Sequence, residues 1–235
     1  MLGLLANALF ALAALIAGYF ISKWAINLPV FPLKVVSVSS TGSGGARGSS
    51  GHGGLKHVTR EQIEDTVRSR ITGNFLTVDL EAARDAFRKL PWVRAAIVRR
   101  IWPRSLEVML EERVALARWG STALVDTHGE IFNAASDEHL PLFEGPEESS
   151  SDMARQYRAF SRLLRPLEQE IDYVKLSPRR AWQIRMRNGV VLELGREQME
   201  ARLERYVLAH ARGTMELNPQ LSYVDLRYSN GFAAR

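Results

Sequence analysis

Cysteine is absent from all 235 residues, which excludes a disulfide framework and thiolate chemistry, whether nucleophilic or metal-binding. The five histidines, His52, His57, His128, His139 and His210, lack HxH or HxxxH spacing, so no metal site and no cofactor is expected. Also missing are a G-x-S-x-G elbow, a P-loop and a G-x-G-x-x-G turn after a strand, each of which needs a strand-to-helix setting to present its chemistry. The paired carboxylates Glu111-Glu112 and Glu147-Glu148 fall on a strand face and in an acidic loop. Solvated charge is the ordinary use of such pairs, because glycosidase-type work needs two carboxyls facing across a cleft. The net charge of +5 arises from both signs spread along the chain without a polybasic block, a pattern that argues against nucleic acid as a partner. These exclusions leave binding without catalysis and without a small-molecule substrate.

Charge of either sign is missing from Met1 to Ser22, MLGLLANALFALAALIAGYFIS. About 20 apolar residues suffice for a helix to cross the hydrocarbon core with its backbone satisfied, so residues 1–30 are read as a transmembrane anchor and short flank. Tyr19 and Trp24 stand near its end, where amphipathic rings favour the interface. A cleaved secretory signal is the alternative, with Ala11-Leu12-Ala13 as a small-x-small site, but the basic start and short apolar core of a signal are lacking. No second apolar run of that length follows, so the remaining chain lies on one side of one membrane. The nearest cations, Lys23 and Lys34, follow the helix, and the positive-inside rule leaves its orientation open.

Residues 39–54, SSTGSGGARGSSGHGG, have too few apolar side chains to offset the entropy of ordering them. They read as an insertion within a domain or as a linker between two. Before them, Leu33, Val35, Val36 and Val38 suggest a short strand. After them, Thr59 and Gln62 form a capping box for a helix with Ile63, Val67 and Ile71 on one stripe. Asp79 caps a second helix bearing Leu80, Ala83, Phe87 and Leu90, which Pro91 ends. The period then becomes two, with Val93, Ala95, Ile97 and Ile101 on one strand and Leu106, Val108 and Leu110 on the next, an antiparallel hairpin turning at Pro103-Arg104. Arg94, Arg99 and Arg100 are expected to pair across its exposed face with Glu107, Glu111 and Glu112. Strand, helix, helix, strand, strand makes a small α+β layer over residues 31–113.

From residue 114 to 235 the signals are strand-rich. Short strands are expected at Ala115–Trp119, Ala123–Val125 and Glu130–Phe132, then a helix carrying Met153, Tyr157, Phe160, Leu164 and Leu167. Tyr173–Leu176 and the Asn188-Gly189 hairpin of Trp182–Met186 with Val190–Leu194 follow. Met199, Leu203, Tyr206 and Val207 mark a last helix. Tyr223–Tyr228 reads as a closing strand, and at a sheet edge its unpaired backbone groups would offer a template for a partner strand. Arg94, Arg99, Arg100 and Arg104 around Trp102 form the densest basic patch. A single-stranded nucleic-acid face is one reading of it, and a solvated face or a contact to anionic lipid or protein is the preferred one.

The segment LPWVRAAIVRRIWPRSLEVMLEERVALARWG, from Leu90 to Gly120, resembles the POTRA hairpin and exit strand of the bacterial FtsQ/DivIB cell-division family. FPLKVVSV at Phe31, GNFLTVDL at Gly73, LSPRRAWQIRMRNGVVLELGRE at Leu176 and YVDLRYSNGFAAR at Tyr223 are similar to further family segments in the same order. The resemblance implies a proteobacterial inner-membrane protein with a cytoplasmic N-terminus and a periplasmic POTRA domain (three-stranded sheet with two helices), then a β-domain with helices. It implies a divisome scaffold at the septum that binds FtsB and FtsL, with FtsK, FtsW and FtsI as further partner candidates. Carried onto this chain, the partner-binding residues are Arg179, Tyr223, Leu226, Tyr228, Ser229, Gly231 and Phe232. Two departures stand out: Met1 opens directly into the apolar run, without the family's basic tail, and residues 39–54 interrupt an otherwise compact module. The alternatives are a POTRA-type protein of transport or outer-membrane assembly, and an envelope enzyme.

Overall fold

The computed structural model describes residues 2–26, 35–40, 55–71, 73–212, 222–228 and 231–234. Ser229 and most of the Gly/Ser tract, residues 41–54, lie outside them. The chain divides into two compact units, Met1–Glu112 and Arg113–Arg235.

The first unit opens with helix α1, Leu2–Ile26. Its side chains are described at Asn7 and over residues 9–23, where Leu9, Phe10, Leu12, Leu15, Ile16, Phe20 and Ile21 are exposed around the helix. Among the described residues no helix is long and apolar enough to cross a membrane.

Strand β1 (Val35–Ser40) leads to helices α2 (Arg60–Arg70) and α3 (Leu80–Arg88), then to the hairpin β2 (Val93–Ile101) and β3 (Ser105–Glu112). The capping box of α2 forms as the sequence predicts. The Thr59 side chain accepts from the Gln62 amide, and the Gln62 side chain accepts from the Thr59 amide. Asp79 caps α3 through the amides of Glu81 and Ala82. The sheet order is β1-β3-β2, with β1 parallel to β3 and β2 antiparallel to it. Val58, Ile63, Phe87, Val93, Ala96, Val108 and Leu110 form one buried cluster.

The predicted phase of β2 is wrong beyond Val93. A register shift between Val93 and Ala95 turns Ala96 inward and leaves Ile97 and Ile101 exposed, because one extra residue reverses every later side chain. The expected cross-strand pairs form at Arg94–Glu111, 2.9 Å, and at Arg99–Glu107. The other two partners bond elsewhere. The Glu112 carboxylate accepts the backbone amides of Lys56, His57 and Val58 at 2.7–2.9 Å, and Arg100 donates to the carbonyls of Phe75 and Val78 at 2.9 and 2.6 Å. Backbone groups of irregular segments need partners, and these long side chains at the margins of the hairpin supply them.

The second unit is a nine-stranded sheet in the order β12-β11-β10-β9-β8-β7-β4-β5-β6. Its strands are β4 (Ala115–Trp119), β5 (Ala123–Asp126), β6 (Ile131–Phe132), β7 (Leu142–Glu144), β8 (Ile171–Leu176), β9 (Trp182–Met186), β10 (Val191–Gly195), β11 (Tyr223–Asp225) and β12 (Ala233–Ala234). Helices α4 (Ser150–Leu164) and α5 (Met199–Ala211) accompany it. Met153, Phe160 and Leu164 of α4 and Leu203 and Tyr206 of α5 pack on Val174, Ile184, Leu192 and Val224 in one buried cluster. Phe160 meets Trp182 edge-on with centroids 5.9 Å apart. The unit begins on a buried ion pair, Arg113 to Asp126 at 2.7 Å, with Asp126 wholly inaccessible.

Candidate functional site: the C-terminal rim of the sheet

β11 spans only Tyr223–Asp225, and burial stops alternating along it at Asp225. Val224, Asp225 and Leu226 are all buried in succession. Asp225 is tolerated there because Arg227 grips it with Nε at 2.9 Å and Nη2 at 2.6 Å, while the Arg227 amide also donates to Oδ1. Those hydrogen bonds hold the Asp225 carboxyl below its ordinary value of 3.8, against the opposing effect of burial. The Arg227 guanidinium is raised in turn.

The strand runs parallel to β10, Val191 opposite Tyr223 and Glu193 opposite Asp225. Gly195 ends β10 at φ +76°. A Cβ there would meet Arg202 Nη1 at 2.8 Å and Arg227 Cγ at 3.1 Å, so glycine is what lets both arginines close over this corner.

The predicted edge is corrected by one strand. β11 is not outermost: the chain returns antiparallel as β12, pairing Val224 with Ala234 and Asp225 with Ala233. β12 is the terminal strand of the sheet, and no strand pairs with its outer side among the described residues. A shallow cleft of about 310 Å³ is lined there by Tyr223, Asp225, Arg227, Ala233 and Ala234.

The candidate residues are distributed around this rim. Tyr228 is exposed at the turn, and its carbonyl accepts from Arg205 of α5 at 3.2 Å. Gly231 is exposed, with open space where a side chain would stand. Phe232 is half-buried against the core cluster, and Tyr223 is half-buried opposite Val191. The Leu226 side chain is 1% exposed and belongs to the core, so it supports the rim from behind and is not a docking surface. Arg179 is exposed in the turn between β8 and β9. The pairing of Trp182 with Gly195 brings that turn to the same end of the sheet as Arg227. Two strand spacings, roughly 10 Å, separate β9 from β11.

A larger cleft of about 710 Å³ is lined by His139, Tyr157, Arg165, Glu170, Asp172 and Arg187 among others. Two of its three acids are engaged in ion pairs, Asp172 with Arg185 at 3.0 Å and Glu170 with Arg187. Among the described residues no three acidic or imidazole groups gather to hold a metal.

Residues 117–227 match the family model described as cell division protein FtsQ/DivIB, C-terminal, and residues 53–113 match the POTRA domain, FtsQ-type. A Nitrosospira multiformis protein named cell division protein FtsQ is 56% identical over 98% of this chain and 94% of its own length. The chain belongs to the FtsQ/DivIB family of cell-division proteins. Two other proteins of that name, from Burkholderia pseudomallei and Neisseria gonorrhoeae, are 39% and 34% identical, covering 100% and 90% of this chain and 91% and 83% of their own lengths. The FtsQ/DivIB C-terminal model ends at residue 227, so the turn at Tyr228 and β12 lie beyond it.

Proposed function

We propose that this FtsQ/DivIB member is a non-catalytic scaffold of the divisome, held in the bacterial inner membrane by one helix, with its N-terminus cytoplasmic and the rest periplasmic. The proposed division is an anchor over 1–30, a POTRA domain over 31–113 and a β-domain over 114–235. Helix α1 supports the anchor. As a 25-residue helix it is about 37 Å long, against about 30 Å of hydrocarbon, and no Asp, Glu, Lys or Arg precedes Lys23.

The proposed partner is the FtsB–FtsL pair, with FtsB adding a strand outside β12. The observation that carries this is the outer side of β12, unpaired among the described residues, beside the exposed Tyr228 and Gly231. A two-residue strand is a weak template alone. A partner strand would lengthen the pairing over residues 228–234, and Tyr228 supplies an aromatic anchor at the turn.

The test is binding of an FtsB–FtsL periplasmic complex to the full chain in detergent. Tyr228→Ala should weaken it about tenfold or more while leaving the unfolding midpoint unchanged. Phe232→Ala should lower both affinity and stability, because its ring also packs on the core. Unchanged affinity in both variants overturns the site. Crosslinks from Ala234 to outer-membrane assembly substrates instead of division proteins would favour the transport reading.

A further inference from the structure

The POTRA hairpin carries an exposed group at its tip that partner docking at the β-domain rim does not use. Trp102 is 82% exposed, Ile101 beside it 41%, and Leu76 49%. Leu76 is tied to the same pole because Arg100 hydrogen-bonds the carbonyls of Phe75, Leu76 and Val78. Arg100 therefore keeps its positive charge without a carboxylate partner among these contacts, and Arg104, half-exposed in the turn, has no acidic partner among the described residues. Arg99 is neutralised by Glu107. The tip is thus a tryptophan with two aliphatic side chains, flanked by two uncompensated guanidinium groups.

Topology decides which way this tip faces. β1 is parallel to β3, and its first residue, Val35, lies opposite Ser105, the first residue after the turn. The end of the sheet where the chain arrives from α1 is therefore the end that carries Trp102. Only nine residue steps separate Ile26 from Val35, a reach of about 30 Å when fully extended. A membrane-anchored α1 accordingly tethers this pole more closely to the bilayer surface than the opposite one, which favours its contact there. Tryptophan rings favour the lipid–water interface, and arginines are drawn to anionic headgroups.

We propose that the hairpin tip, Trp102 with Leu76, Ile101, Arg100 and Arg104, is a second membrane contact that docks the POTRA domain onto an anionic lipid surface and fixes its tilt. This rests on the single-helix anchor proposed above.

The cysteine-free chain permits a direct test by single-site labelling in the full chain, reconstituted into phosphatidylglycerol-containing vesicles that carry a headgroup-attached quencher. A fluorophore at Ser105→Cys should be quenched. One at Lys89→Cys, exposed after α3 toward the other end of the hairpin, should not. One at Tyr19→Cys, read with an acyl-chain quencher, reports the anchor. In the Ser105→Cys background, Trp102→Ala and Arg104→Gln should each release the tip. The arginine change should lower the docked-to-undocked ratio about fivefold, an effect lost in phosphatidylcholine. Quenching at 19 with none at 105, or equal quenching at 105 and 89, overturns the inference while the anchor stands. No quenching at 19 overturns the anchor and the inference together. If vesicles leave 105 unquenched yet Trp102→Ala blocks division in cells, the tip meets a protein and the lipid assignment is wrong.

Discussion

Two buried aspartates tie local structure together in the β-domain, one near its start and one at its rim. Asp126 is wholly buried, bonded to Arg113 and to the amides of His128 and Glu130. Asp126→Ala leaves Arg113 only its second carboxylate, Glu130 at 2.8 Å, and strands the two amides, a loss of about 1–3 kcal/mol measured by urea unfolding. Asp225 sits at the rim, and its carboxyl is depressed by the Arg227 hydrogen bonds. A depressed acid stabilises the fold above its unfolded value near 3.8, and that contribution is lost as pH falls through the lower folded value. The stability gap between the native chain and Asp225→Asn should therefore be full at neutral pH and shrink below about pH 4. Arg227 is largely solvent-exposed, which keeps the gap modest. A gap that widens in acid would contradict the assignment.

Individual elements were legible in the sequence where one physical rule dominated. The capping box at Thr59, the Asp79 cap, the Pro91 stop and β4 follow from local chemistry and form as expected, and so does the hairpin at Asn188-Gly189, although only Gly189 takes a positive φ (+91°), so its turn is not the type I′ that Asn-Gly favours. The failures are places where tertiary bonds decide. The register shift after Val93 leaves no mark in the residue types, and it inverts the face of β2. β7 is three residues long, and its apolar Leu142-Phe143 between Pro141 and Gly145 was the only clue. β12 is two alanines, residues with weak strand preference, held by pairing to β11. Of the rim candidates, Leu226 was carried over as a partner-binding residue, yet its side chain is core, and nothing in the residue types shows that Arg227 draws the neighbouring Asp225 inward. Glu112 was read as a cross-strand partner, and its actual role predicts an element-scale effect. Glu112→Ala leaves three amides unsatisfied, so residues 56–58 should exchange hydrogen much faster, with a loss of about 1–3 kcal/mol. Unchanged exchange there would show that the carboxylate does not organise the approach to α2.

At the scale of the whole molecule, one chain combines a 25-residue N-terminal helix, an FtsQ-type POTRA unit and a nine-stranded sheet. The sheet ends at each side in a two-residue strand, β6 and β12, a length that discourages indiscriminate pairing. Selectivity at the C-terminal rim then requires side chains near the strand, and Tyr228 is the exposed aromatic available there. Strand addition makes a demand that side-chain packing does not: backbone amides on the outer side of the last strand must become hydrogen-bonded. Amide hydrogen exchange of the full chain, with and without the FtsB–FtsL periplasmic complex, reads this directly. The account predicts strong new protection within residues 231–234, alternating along the strand. Unchanged exchange across 228–234, with protection appearing on another surface of the saturated complex, would contradict it.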